Sequence, residues 1–435
     1  MPMPMSLPTL LPASSPTSSP NPLSHPLSHP LSHPLSHPHN PLQSAQHGAL
    51  MQAAEHAALA LAGRSREIEA NRFLPQDIAD ALAGAGLYRL LTPLAYGGFE
   101  APPASFVAVI ERLARADAAA AWCCFISCTA SVLAAYLPEP DARTVFSRPT
   151  LKAAGVFAPR GRAVATELAG KPGLRVSGRW AWGSGVHNAD IVTAGCLLIG
   201  PDGQPGLLPD GTPRVVSVLL DRDQVRLLNN WDSFGLCGTG SGEFEVQDAF
   251  VPLGRSASLF DGPRIGTPLY RFPVFGLLAV AIAAVATGIA REALDAFLQQ
   301  ANPGLPPAGS KPLAAKATVQ AAVAQAEASL QAARAYLLAS IDAAWQTANR
   351  AGQAALPVAQ RRDIRLAASH AVHTSAAVVA RLYTLAGGGA VFASSPLQRC
   401  LRNVQVATQH MMVNDASFEL TGRLLLGLPT PVNLL

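Results

Sequence analysis

Trp180-Ala181-Trp182-Gly183-Ser184-Gly185-Val186-His187-Asn188-Ala189-Asp190 is a turn-rich stretch between two runs that read as strands, 174–180 and 191–199. Glycines on both sides of Ser184 favour a tight turn there. Working outward, 215–220 and 243–251 are again short and β-branched or alternating. Glu243-Phe244-Glu245-Val246-Gln247 alternates as a strand with one wet face does. Gly and Pro clusters separate these runs, which predicts a small antiparallel barrel or sandwich over 151–260. On either side the period lengthens to that of a helix. Over 46–150 the pattern predicts a helix at 75–83 that breaks at Gly84 and Gly86. A turn follows at Tyr96-Gly97-Gly98, then an Ala-rich helical run over 104–136 ending at Pro138. Within 266–435, apolar positions recur at three- and four-residue spacing. Four long helices are expected, at 272–301, 310–347, 358–386 and 396–426, as an antiparallel four-helix bundle. The fold class is therefore α+β, mainly α: helices, then a β module, then a bundle.

The bulk of the chain excludes several classes of function. Of 435 residues 49% are apolar and only 14% charged, so a large core is available. The net charge of +4 is dispersed, with no basic run to track a phosphate backbone, so nucleic acid is not an expected partner. The stretch 272–290 carries no charge, but it is dominated by alanine and interrupted by Pro273 and Gly288. It reads as a buried core helix, and no membrane association is expected. Cys123, Cys124, Cys128, Cys196, Cys237 and Cys400 form no CxxC pair and no zinc-ligand spacing, so no metal site is expected. Free cysteines at this density suit a reducing compartment, and the expectation is a cytoplasmic protein.

Residues 1–45 form a low-complexity leader. Pro-Leu-Ser-His recurs there and places His25, His29, His33 and His37 four apart, with His39 beyond. Proline at every fourth position opposes a helix, so this leader is expected to be disordered.

Two glycine-rich stretches fail as nucleotide fingerprints. Gly84-Ala85-Gly86 follows no strand and lacks a third glycine. Gly238-Thr239-Gly240-Ser241-Gly242 has no lysine and leads into a strand. A nicotinamide site within the chain is not expected.

Several segments in a fixed order do resemble one family. Leu91-Thr92-Pro93 through Tyr96-Gly97-Gly98-Phe99 is similar to a turn near the start of acyl-CoA dehydrogenase-like proteins. The 180–190 stretch resembles their flavin-facing strand and loop. Trp231-Asp232-Ser233-Phe234-Gly235-Leu236-Cys237-Gly238-Thr239-Gly240-Ser241, with Val251-Pro252 beyond, resembles the segment that closes their β domain. Residues 399–410 resemble the start of their last long helix. Together these matches span about 50–426.

Within that superfamily the resemblance favours the two-component flavin-dependent monooxygenases. The dehydrogenases use a glutamate that follows a tyrosine eight residues past an Arg-Asp pair. Counting from Arg402-Asn403 puts His410 and Met411 at those places. The other location of the base reads Leu277-Leu278-Ala279-Val280. A methionine cannot take a proton, so α,β-dehydrogenation lacks its base. The resemblance implies that reduced flavin, FMN or FAD, comes from a separate NAD(P)H-flavin reductase. It then reacts with O2 through a C4a-hydroperoxide and oxygenates a small aromatic or organosulfur substrate. It assigns His410 as acid/base or hydroperoxide partner and Ser184 as hydrogen-bond partner of flavin N5. It sets Trp182 beside the isoalloxazine, Phe157 and Ala158 at a flavin-lining strand end, and Gly387 and Gly388 near the flavin phosphates, often from a neighbouring subunit of a homotetramer. Two departures, Cys237 where an arginine commonly stands and the absence of an Arg-x-x-Phe-Gly run, suit FMN or a loosely held FAD. The alternative is an acyl-CoA dehydrogenase-type FAD oxidoreductase with a relocated base.

Overall fold

A computed structural model describes residues 41–302, 312–350, 352, 355–433 and 435. Residues 1–40 of the leader, with its histidines, lie outside the described residues. Its last five residues, 41–45, instead begin the first helix, α1 (Pro41–Leu61). Five more helices complete the N-terminal part: α2 (Ser65–Asn71), α3 (Gln76–Gly84), α4 (Pro103–Ala114), α5 (Ala118–Ser131) and α6 (Glu139–Phe146). The expected single run over 104–136 is two helices. Asp117 explains the restart, because its side chain accepts from Ala120 N–H at 2.9 Å and caps α5. Buried Phe106, Val109, Ile110 and Leu113 form the inner face of α4.

Seven strands follow: β1 (Ala153–Leu168), β2 (Lys171–Trp180), β3 (Ile191–Ile199), β4 (Val215–Asp221), β5 (Arg226–Leu227), β6 (Phe244–Pro252) and β7 (Ser256–Ala257). They make one sheet in the order β5-β6-β2-β1-β3-β4-β7. The expectation of a purely antiparallel module is corrected at one ladder, because β1 and β3 run parallel while the other pairs are antiparallel. The sheet has its own core around Trp180, Phe244, Val192 and Leu220.

The chain then becomes helical again, with α7 (Pro268–Arg271), α8 (Val274–Ala301), α9 (Ala317–Ala348), α10 (Val358–Ala386), α11 (Pro396–Thr408) and α12 (Asp415–Leu425). The fourth expected helix, 396–426, is interrupted between α11 and α12. α8, uncharged from Val274 to Ala290, is the hub of the helical core and is buried along most of its length. Among the described residues two segments, Ala118–Ala135 and Val274–Ala301, are long and apolar enough to cross a membrane, and both are mostly buried inside the protein. Where α8 crosses α4, a Cβ at Gly288 would stand 2.6 Å from Ala114 Cβ and from Glu111 O. Only glycine allows that approach.

Candidate functional site

The site begins where β2 ends. Trp180 is fully buried, its indole N–H donating to Gly195 O at 2.8 Å and its ring stacked on Phe244. The chain then turns sharply, with Trp182 in the left-handed region at φ 69°. For a bulky side chain this costs on the order of 1–2 kcal/mol. Two backbone clamps hold the turn: Gly183 N–H donates to Gly242 O and Gly185 N–H to Thr239 O, each at 2.9 Å. Ser184 is thereby buried, while Trp182 remains 69% exposed, edge-on to Trp231 at 5.9 Å.

Ser184 is one link in a buried run of hydroxyls. Its Oγ accepts from the Trp122 indole N–H at 3.1 Å and lies 2.6 Å from Ser241 Oγ. Ser241 Oγ lies 2.6 Å from Thr239 Oγ1, whose hydroxyl donates to Leu236 O at 2.8 Å. Trp122 comes from α5, so this run joins the N-terminal helices to the β loops. A buried indole N–H needs an acceptor, and Ser184 supplies it.

The other side of Trp122 chemistry is His410. The two rings meet edge to face with centroids 6.0 Å apart. His410 occupies the interruption between α11 and α12, where Met412 N–H donates to its Nδ1 at 3.2 Å. An amide only donates, so the neutral ring carries its proton on Nε2. Burial, reinforced by the Arg365 charge, pulls its pKa down to about 4. At neutral pH His410 is thus a neutral imidazole that offers an N–H. Next to it, Met411 points away and is 56% exposed.

The remaining expected residues divide. Phe157 and Ala158 stand in a bulge of β1, where the register against β3 slips between Val156 and Gly161. A Cβ at Gly195 would lie 2.2 Å from Phe157 O, so the bulge presses directly on β3. Phe157 is half-buried against Phe275, and Ala158 is exposed. Gly387 and Gly388 lie past α10, with Gln300 Nε2 donating to Ala386 O at 3.4 Å beside them. None of the bonds or ring contacts that join Ser184, Trp122 and His410 reaches these two glycines. Cys237 is buried with its Sγ on Ser233 O, and the Arg402 guanidinium stands 3.9 Å from it, bonded to Phe234 O and Glu69. Three residues that sequence reasoning passed over, Trp122, Thr239 and Ser241, are what connect the site. A lone tryptophan in an Ala-rich helix was the available signal.

Residues 44–139 match the description Acyl-CoA dehydrogenase, N-terminal domain, and residues 280–415 match Acyl-CoA dehydrogenase, C-terminal domain. An indole-3-acetate monooxygenase from Pseudomonas putida is 33% identical, with 89% of this chain and 97% of the relative aligned. The chain belongs to the acyl-CoA dehydrogenase family. It sits among that family's flavin-dependent monooxygenases and is an oxidoreductase. The oxygenase component of an FADH(2)-dependent resorcinol hydroxylase from Rhizobium sp. is 28% identical over 89% of this chain and 96% of its own. The solved structure of XiaF from Streptomyces sp. in complex with FADH2 and glycerol superposes with a TM-score of 0.80 at 25% identity. It covers 90% of this chain and 98% of its own.

The resemblance gives the dehydrogenase base two places, and the structure shows what occupies each. Leu277, Ala279 and Val280 are buried apolar side chains in α8, and His410 with Met411 fills the other position of the base. Neither place carries a carboxylate. The residues present fit a reduced flavin: Trp182 offers an exposed indole face for a flat ring system, and Ser184 beside it is a buried hydroxyl with lone-pair capacity left over.

Proposed function

We propose that this chain is the oxygenase component of a two-component system, receiving reduced flavin from a separate NAD(P)H-flavin reductase and oxygenating a small aromatic compound. The observation that carries this is the Ser184–Trp122–His410 contact in a site without a carboxylate base. When bound, reduced flavin supplies electrons to activate O2, one oxygen atom going to substrate and the other leaving as water. The chain's own residues do the rest. Trp182, Phe157 and Ala158 pack the ring system, and Ser184 holds a proton at N5. Gly387 and Gly388 of a neighbouring subunit approach the flavin phosphates through backbone amides in a homotetramer. Nε2–H of His410 donates to oxygen, because Nδ1 is already occupied and the ring stays neutral well below pH 7. Apolar walls such as Leu277 and the buried face of α5 keep bulk water from the reacting centre.

The helical segment 46–150, the β segment 151–260 and the bundle 266–435 act as three domains around that centre, in a cytoplasmic protein. Indole-3-acetate is the first substrate to try, since the Pseudomonas putida relative is named for it. The test supplies the purified chain with a flavin reductase, NADH, FMN or FAD, 18O2 and a panel of indoles and phenols. One 18O atom per product molecule is expected. Products free of 18O, or bleaching of bound FAD by an acyl-CoA, would overturn the proposal.

A further inference from the structure

The hydroxyl run beneath Ser184 has a direction, and that direction decides what Ser184 can do. A hydroxyl has one proton and two lone pairs. Thr239 Oγ1 lies 2.8 Å from Leu236 O, a carbonyl that only accepts, so the Thr239 proton points there. Thr239 is then the acceptor in its 2.6 Å contact with Ser241, and the Ser241 proton is spent on it. Ser241 must in turn accept across the 2.6 Å contact with Ser184, which spends the Ser184 proton. One Ser184 lone pair is taken by the Trp122 indole N–H at 3.1 Å. A single lone pair remains, so any further group that approaches Ser184 Oγ has to be a donor. All four residues are buried, so water does not rearrange the run freely.

We infer that Thr239, Ser241 and Trp122 are positioning residues that make Ser184 an obligate acceptor, and that this sets the flavin redox state the site prefers. The inference rests on Ser184 facing flavin N5, as proposed above. Reduced flavin carries a proton on N5 and can donate to Ser184. Oxidised flavin has a bare lone pair there and would meet another lone pair. The run therefore favours entry of reduced flavin and departure of the oxidised form, which a component that borrows its flavin each turnover requires. No proton is transferred along the run; its protons only need to stay where they are.

The test measures dissociation constants for oxidised and reduced flavin, the latter anaerobically, on the full-length protein. FMN and FAD are each used as the probe. Variants are Ser241→Ala, Thr239→Val and the conservative Thr239→Ser. Removing either hydroxyl frees the Ser184 proton to donate to bare N5. The oxidised-to-reduced ratio of dissociation constants should fall about tenfold in Ser241→Ala and Thr239→Val, the size of one hydrogen bond. It should stay at the wild-type value in Thr239→Ser. A change in packing alone would weaken both forms together and leave the ratio unmoved. An unchanged ratio in folded Ser241→Ala and Thr239→Val, with wild-type protein still preferring reduced flavin, overturns this inference alone. Wild-type protein that binds neither form overturns the flavin proposal and this inference with it.

Discussion

Ser184 and His410 both touch Trp122, yet different forces hold them. Ser184 sits in a turn clamped by two backbone bonds and in a run of hydroxyls whose protons are all assigned. None of those groups titrates near neutral pH. His410 hangs in an interrupted helix with one bond to its ring, and its charge state is set by burial and by Arg365. One side of the site is defined by hydrogen-bond direction and the other by electrostatics. The two sides should therefore fail in different ways.

The largest separation is expected in coupling. His410→Ala should lower product formed per flavin oxidised about 100-fold, the lower end for loss of a proton-handling group. Ser184→Ala should lower it about tenfold, with hydrogen peroxide making up the difference. Product and peroxide yields at limiting reduced flavin measure both, and equal losses would break the distinction.

Acid stability sharpens it further. The folded pKa of His410, about 4, lies below the ordinary value near 6.5, so the unfolded chain takes up the proton first. Stability from this group is complete above about pH 6.5 and is lost as pH falls toward 4, by roughly 2–3 kcal/mol. Urea unfolding at pH 4.5 and 7 should show His410→Asn flattening that slope, while Ser184→Ala leaves it intact. A slope unchanged in His410→Asn would mean that the half-buried imidazole and the Arg365 charge do not set the acid limb.

Trp122→Phe has the smallest expected effect and touches both sides. It keeps an aromatic ring against His410 but removes the donor to Ser184, so it should cost about 1 kcal/mol of stability. The acid slope should stay. A lost slope would show that the indole, rather than burial and Arg365, governs the imidazole.

What the sequence disclosed follows the range of the forces involved. Local alternation marked 174–180, 191–199, 215–220 and 243–251, all close to β2, β3, β4 and β6. It passed over most of β1, where Gly155, Pro159, Gly161 and a bulge erase the alternation. The parallel pairing of β1 with β3 is likewise a long-range choice without a local signature. Residues 396–426 show a continuous helical pattern with no proline beyond Pro396 at its start. The interruption there comes from His410 and Asn414 taking the backbone bonds of the missing turn. Ser184 was legible as a serine between glycines, but its partners were not. Thr239 and Ser241 lie in a glycine run that fails as a phosphate loop, and its hydroxyls acquire meaning only when β6 brings them beneath Ser184.

Joint action of these two sides on reduced flavin and oxygen should leave a kinetic signature. Stopped-flow mixing of anaerobic protein and reduced FMN, or reduced FAD, with oxygenated buffer reads that signature. A near-ultraviolet transient that precedes the oxidised-flavin spectrum is predicted for the wild-type protein, shortened in Ser184→Ala. Oxidation as fast and as featureless as that of free reduced flavin would contradict it.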